Sequence, residues 1–237
     1  MNKIELLKRL EKYVVFNSTV FKNLVGKDKG YSKLLLHRLK KSNYIFEIER
    51  NRYTMHKDAF LITSHIVWPS YISLWSAIRY YNLTEQIPHA IWVITTRKRK
   101  KKTIRYLDTE IIFVLTKPKY FFGFKKVDLK GFEIFVAEPE KAIIDSLLFR
   151  KISFSEIHSI IKVNIKNINT KKLIDFTLRT NNKTLIKRVG FLLDKLGFDY
   201  YKKLKNYIYA VYTPLEYNLP SRGEKNKKWR IIENVTV

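Results

Sequence analysis

The sequence predicts an α+β protein: a small unit of three helices and a hairpin over residues 1–58, then a larger mixed α/β C-terminal domain over residues 59–237. Three observations predict it. Apolar residues recur at helical spacing in three short segments before residue 42, the period then switches to alternation, and beyond Pro69 β-branched runs alternate with apolar helical patterns.

Ile4, Leu7 and Leu10, with Leu6 beside them, make one face of a first helix, and Lys3, Glu5, Lys8 and Arg9 fill the other. Val14-Val15-Phe16 is a short extended link. Asn17-Ser18-Thr19 supplies N-cap oxygens for a second helix to about Leu24, and Gly26 with Lys27-Asp28-Lys29-Gly30 breaks it. A third helix is expected from near Ser32, which can cap it, with Leu35, Leu36 and Leu39 buried and Lys33, His37 and Lys40 closer to the opposite face. From Asn43, Tyr44, Phe46 and Ile48 alternate with Ile45, Glu47 and Glu49, and Arg50-Asn51-Arg52 forms a polar turn before Tyr53-Thr54-Met55. Three helices closed by such a hairpin read as a winged helix-turn-helix.

A boundary is expected near residue 58. Beyond it the spacing predicts a helix from Tyr71 to about Tyr81, strands over 90–96, 111–115 and 132–137, and a turn-rich stretch marked by Pro118 and Gly123. Glu138-Pro139-Glu140-Lys141 opens a helix to about Arg150, because proline in the first turn lacks an N–H that would be unpaired there and acidic residues suit the helix dipole. Further helices are expected over 154–162, 171–179 and 183–196, the last closed by Gly197, with a late strand over 207–212. The polar tail from Ser221 precedes Trp229-Arg230-Ile231-Ile232, which is expected to return to the body.

With 46% hydrophobic residues the chain has ample material for a core. Its net charge of +26 exceeds what solubility requires and points to a polyanion, nucleic acid first, although AT-rich coding also enriches lysine. Residues 1–57 carry 14 Lys and Arg against 5 Asp and Glu, a net +9. The absence of cysteine excludes disulfides, thiolate chemistry and Cys-ligated zinc. The first residues carry charges inside the apolar pattern, unlike a signal peptide, and no run reaches the roughly 18 to 20 apolar residues of a membrane span. A cytoplasmic protein with no membrane partner is expected.

A winged helix lays its third helix in the major groove and anchors phosphates with flanking groups. The candidate DNA-binding residues are therefore Tyr31, Ser32, Lys33, His37 and Lys40 on that helix and Arg50 and Arg52 at the wing tip. Six consecutive cations, Arg97, Lys98, Arg99, Lys100, Lys101 and Lys102, form an exposed loop between two strands and a second candidate phosphate-binding patch. The basic tail, with Arg222, Lys225, Lys227 and Lys228, is a weaker one.

Enzymatic readings find less support. His37, His56, His65, His89 and His158 are scattered with no HExxH pair, and neither GxGxxG nor GxxxxGK[ST] occurs. No catalytic residue, metal site or cofactor is expected. Asp108 and Glu110 stand one residue apart at a strand start, as in a magnesium-dependent nuclease, but lack a downstream Glu-x-Lys. A nuclease-like C-terminal domain using these carboxylates, or a nucleic-acid-binding protein without sequence preference, are the alternatives. Asp145, among Ile143, Ile144, Leu147 and Leu148, is expected to bond a basic side chain or the backbone.

Four segments together resemble the AbiEi family, the antitoxin and transcriptional regulator of AbiE-type (type IV) toxin-antitoxin systems. They are GYSKLLLHRLKKSNYIFEIERNRY at 30–53, PSYISLWSAIRYYNLTEQIP at 69–88, VAEPEKAIIDSLLF at 136–149 and RVGFLLDKLG at 188–197, in the family's order. The resemblance implies a DNA-binding N-terminal domain that represses the protein's own operon through inverted repeats. It further implies a C-terminal domain with antitoxin action and a nucleotidyltransferase-like toxin as partner. Glu85 and Gln86 are the residues best suited to touch such a partner.

Overall fold

Asparagine or aspartate stands immediately before each of the first three helices, and its side chain closes the first turn. The computed structural model describes residues 2–236. Asn2 accepts from the Glu5 N–H (2.8 Å) at the head of α1 (Lys3–Glu11), and Asn17 from Val20 (2.9 Å) at the head of α2 (Ser18–Val25). Asp28 accepts from Tyr31 (2.9 Å) at the head of α3 (Lys29–Lys41). The third helix therefore begins earlier than Ser32. Aspartate caps it and favours the positive end of the dipole, so Ser32 falls inside the helix on the buried stripe with Leu36 and Leu39. Gly26 ends α2 at φ 67°, a left-handed C-cap where a side chain would strain the backbone.

The hairpin follows as β1 (Phe46–Glu49) and β2 (Arg52–Thr54), antiparallel, with an irregularity between Glu47 and Glu49. Asn51 takes φ 60° at its turn and accepts from the Ser18 N–H (2.9 Å), which ties the hairpin tip to the start of α2. Phe16 and Tyr53 exchange two backbone hydrogen bonds (2.9 and 2.8 Å), so the Val14–Phe16 link pairs with the hairpin. Leu6, Leu10, Phe16, Phe21, Leu36, Leu39 and Ile45 make the core beneath these elements.

The chain folds as two compact units. The first holds the residues up to Ile72 together with Pro88–Thr116 and Lys126–Val136; the second holds Ser73–Ile87, Lys117–Lys125 and the chain from Ala137 onward. In the first unit α4 (Ala59–Ile66), capped by Asp58, packs on a six-stranded mixed sheet. Its strands are β3 (Ser70–Ile72), β4 (Ala90–Thr95), β5 (Thr103–Tyr106), β6 (Thr109–Leu115), β7 (Phe124–Leu129) and β8 (Phe132–Ala137), in the order β5-β6-β4-β3-β8-β7. β4 runs parallel to β6 and β3 parallel to β8, while β3–β4 and β5–β6 are antiparallel.

Four elements here differ from expectation, the first being α4, a helix not expected from the sequence. Residues 70–72 form a buried central strand, not the start of a helix, because Ser70 and Thr95 hydroxyls hold the Val67 and Pro69 carbonyls and the backbone pairs on both sides. β5 and β7 are additional strands, whose polar outward residues mask their alternation.

The second unit is helical. α5 (Leu74–Tyr80) packs on α6 (Pro139–Phe149), which also contacts α7 (Phe154–Val163) and α8 (Thr170–Arg179), while α8 packs on α9 (Lys183–Lys195). Glu138 is the N-cap of α6 with Pro139 in the first turn, as the sequence predicts. α10 (Tyr201–Leu204) lies on α9, and a small sheet of β9 (Thr213–Pro214), β10 (Glu224–Asn226) and β11 (Ile231–Glu233) closes the unit in the order β10-β11-β9.

The strand expected over 207–212 is absent. Tyr209 and Tyr212 are held individually instead: the Tyr209 hydroxyl bonds Thr184 (3.0 Å) and Thr213 (3.2 Å), and the Tyr212 hydroxyl accepts from Arg230 (3.2 Å). Trp229 does return to the body and is fully buried. The fold is thus α+β, and no described helix is long and apolar enough to cross a membrane.

Candidate nucleic-acid interface

Helical spacing sorts α3 into two faces. Ser32, Leu36 and Leu39 point into the core, and Tyr31, Lys33, Leu34, His37, Arg38 and Lys41 share the exposed side. Tyr31 is 49% and Leu34 48% exposed, so two apolar side chains sit among the cations. Such a mixture offers donors to phosphate and base acceptors and apolar surface to a thymine methyl. The Asp28 cap holds its carboxyl below the usual range, chiefly through the bond from the Tyr31 N–H, which fixes the first turn of this helix.

The predicted residues fall into distinct environments. Tyr31, Lys33 and His37 are all exposed on α3. Ser32 is 4% exposed with its hydroxyl toward the Lys27 carbonyl (3.5 Å), so its side chain does not share that face. Lys40 is half-buried and pairs with Glu47 of β1, binding the helix to the hairpin. Burial raises the pKa of Tyr53 next to this pair, and the Glu47 charge adds to the effect. Arg50 is exposed at the hairpin turn. Arg38 and Lys41 were not among the predicted residues, although 33, 37 and 41 are spaced four apart.

The six-cation run connects β4 to β5, and it meets the hairpin. Glu49 of β1 bonds Arg52 (3.0 Å) on its own hairpin and Arg99 (2.7 Å) in the run. Arg99 also lies over the Phe113 ring (4.2 Å) and is largely withdrawn from solvent. Its five neighbours Arg97, Lys98, Lys100, Lys101 and Lys102 are exposed, and none forms an ion pair with a described residue. Tyr106 of β5 donates to the His56 carbonyl (2.6 Å), and burial pushes its hydroxyl up to about 12. Helix α3, the hairpin and the loop are therefore joined by Lys40–Glu47 and Arg99–Glu49 within one unit.

The carboxylate and histidine candidates do not assemble in the same way. Asp108 lies in the β5–β6 turn beside Leu107 (φ 50°), not on a strand, and Glu110 is exposed on β6 opposite Arg105. No group of three or more His, Asp or Glu suited to hold a metal occurs among the described residues. Asp145 has the partner expected of it: it bonds Lys141, and the Ser73 hydroxyl donates to it (2.8 Å). All three side chains are fully buried, which makes them structural.

No family model and no curated protein matches this chain.

The exposed cations of α3, the hairpin turn and the loop present donors without requiring any catalytic group. Glu85 and Gln86 are exposed in the segment between α5 and β4, next to Ile87, which is 79% exposed.

Proposed function

We propose that this chain is a non-enzymatic DNA-binding transcriptional repressor with antitoxin function, of the AbiEi type. The observation that carries the DNA-binding half is the linkage of α3, the hairpin and the six-cation loop through Lys40–Glu47 and Arg99–Glu49. Separate basic patches would each hold a few phosphates weakly. A continuous surface can neutralise a run of them along one duplex, and released counterions make such binding strongly salt-dependent.

In this reading the first three helices and the hairpin act as a winged helix-turn-helix. Tyr31, Lys33 and His37 read base edges in the major groove, with Arg38 and Lys41 beside them. Arg50 reaches the neighbouring backbone or minor groove, and the loop grips phosphates beyond the hairpin. Repression follows from occupying the promoter. The antitoxin half rests on the resemblance of the quoted segments. Two of them, 69–88 and 136–149, supply the buried Ser73, Lys141 and Asp145 network, which accounts for these polar residues as structural.

A two-part reporter assay tests the reading. Supplied in trans, the chain should lower expression from a promoter placed behind its own upstream DNA and relieve growth arrest by the product of an adjoining nucleotidyltransferase-like frame. Unchanged reporter output would remove the repressor role, and unrelieved arrest the antitoxin role.

A further inference from the structure

In the second unit, two arginines line one cavity, and neither forms an ion pair with a carboxylate of the described residues. The cavity, about 130 Å³, is bounded by Arg150, Arg188, Asn182, Thr184 and Tyr217 with leucines behind them. Arg188 is 4% exposed. It donates to the Leu215 carbonyl (2.6 Å) and the Leu147 carbonyl (3.3 Å), which uses two of the five N–H groups of a guanidinium. Its Nε is enclosed and has no acceptor among the described residues.

Carbonyls orient a guanidinium but do not cancel its charge, and a buried charge is costly unless it is paired. The aromatic rings of Phe154 (5.3 Å) and Tyr217 (5.1 Å) flank Arg188, and Arg150 stacks on the same Tyr217 ring at 3.6 Å. The nearby carboxylate, Glu216, is engaged with the Phe154 N–H (2.9 Å) and forms no ion pair with either arginine. Burial pushes the Arg188 guanidinium below the usual arginine range; Tyr217 and Glu216 oppose this, and Arg150 adds to it. Two like charges thus converge on an open volume, an arrangement that an anion stabilises.

We propose that this cavity binds a phosphate group, held by Arg150 and Arg188. Arginine suits the task because its planar fork meets phosphate oxygens in pairs. Arg150 also lines a second, wider groove of about 340 Å³ with Ser153, Ser155 and Glu216. A phosphomonoester can therefore place its phosphate in the cavity and its organic part in the groove, whereas free phosphate uses the cavity alone.

The test is calorimetry of the full chain with inorganic phosphate and with a small phosphomonoester, against chloride at matched ionic strength. Arg150 is exposed at φ 54°, so Arg150→Gly removes the charge while keeping a residue suited to that backbone. Saturable one-to-one binding is expected, weakened about tenfold or more in Arg150→Gly and unchanged in the loop variant Lys98→Ala/Lys100→Ala/Lys101→Ala. Tighter binding of the ester assigns the groove to its organic part, and equal binding assigns the site to free phosphate. No saturable binding of either, equal binding by Arg150→Gly, or loss in the loop variant would overturn the proposal.

Discussion

Asp145→Ala is expected to destabilise the protein by about 3–5 kcal/mol, the usual cost of breaking a buried ion pair from one side. Lys141, Asp145 and Ser73 are all fully buried, and the carboxylate serves both other side chains. Its removal takes the Asp145 carboxylate away from the buried Lys141 ammonium, which lies 4.8 Å from the centre of the Phe122 ring. Taking both charges away is a different experiment. Lys141→Met/Asp145→Leu keeps similar volume and removes both charges together, so it should cost less than Asp145→Ala alone. Urea denaturation followed by helical circular dichroism measures both. Equal losses for the single and double variants would show that packing, not charge pairing, sets the energy.

Trp229→Ala is the second large effect, expected at about 3–5 kcal/mol for loss of a buried aromatic side chain. The indole is fully buried, donates from Nε1 to Asp194 (2.9 Å) and meets Tyr201 edge-on at 5.4 Å. Helix α9 makes room for it with Gly190: a Cβ there would lie 2.1 Å from the Trp229 ring. Gly190→Ala should therefore destabilise as well, by about 1–3 kcal/mol, through overpacking. The two substitutions are coupled. With the ring gone, the new methyl enters vacated space, so the double variant should cost less than the sum of the singles in a double-mutant cycle. Strict additivity would mean that the tail does not pack on α9 as described.

The coupled packing of Gly190 and Trp229 also shows where the sequence was readable. Trp229 is flanked by apolar Ile231 and Ile232 inside a polar tail, and that contrast predicts its return to the core. Its contact with a glycine thirty-nine positions earlier leaves no local signal. Helices over 139–149, 154–163, 170–179 and 183–195 were legible from capping residues and apolar spacing, because both act within a few residues. The strand Ser70–Ile72 was not. Its backbone is claimed by β4 and β8, the latter more than sixty residues away, and three residues are too few to establish a period.

The candidate interface divides in the same way. Exposure of Lys33 and His37 follows from helical spacing and is legible in the sequence. Ser32 has the chemistry of a cap, but Asp28, four residues earlier, takes that role and Ser32 turns inward. The bond from Glu49 to Arg99 was invisible in sequence, since fifty residues separate them, yet it is what makes the hairpin and the basic loop one surface.

Under the proposed function, the exposed face of α3 reads sequence while the hairpin and the loop hold phosphate. Fluorescence anisotropy, with a duplex from upstream of the chain's own gene and a shuffled duplex of equal length across a salt series, tests it most directly. The wild-type chain should prefer the upstream duplex by about 10³ or more. Tyr31→Ala/His37→Ala should erode that preference, whereas Lys98→Ala/Lys100→Ala/Lys101→Ala should weaken both duplexes alike and flatten the salt dependence. Equal affinity of the wild-type chain for the two duplexes at every salt concentration would contradict the account.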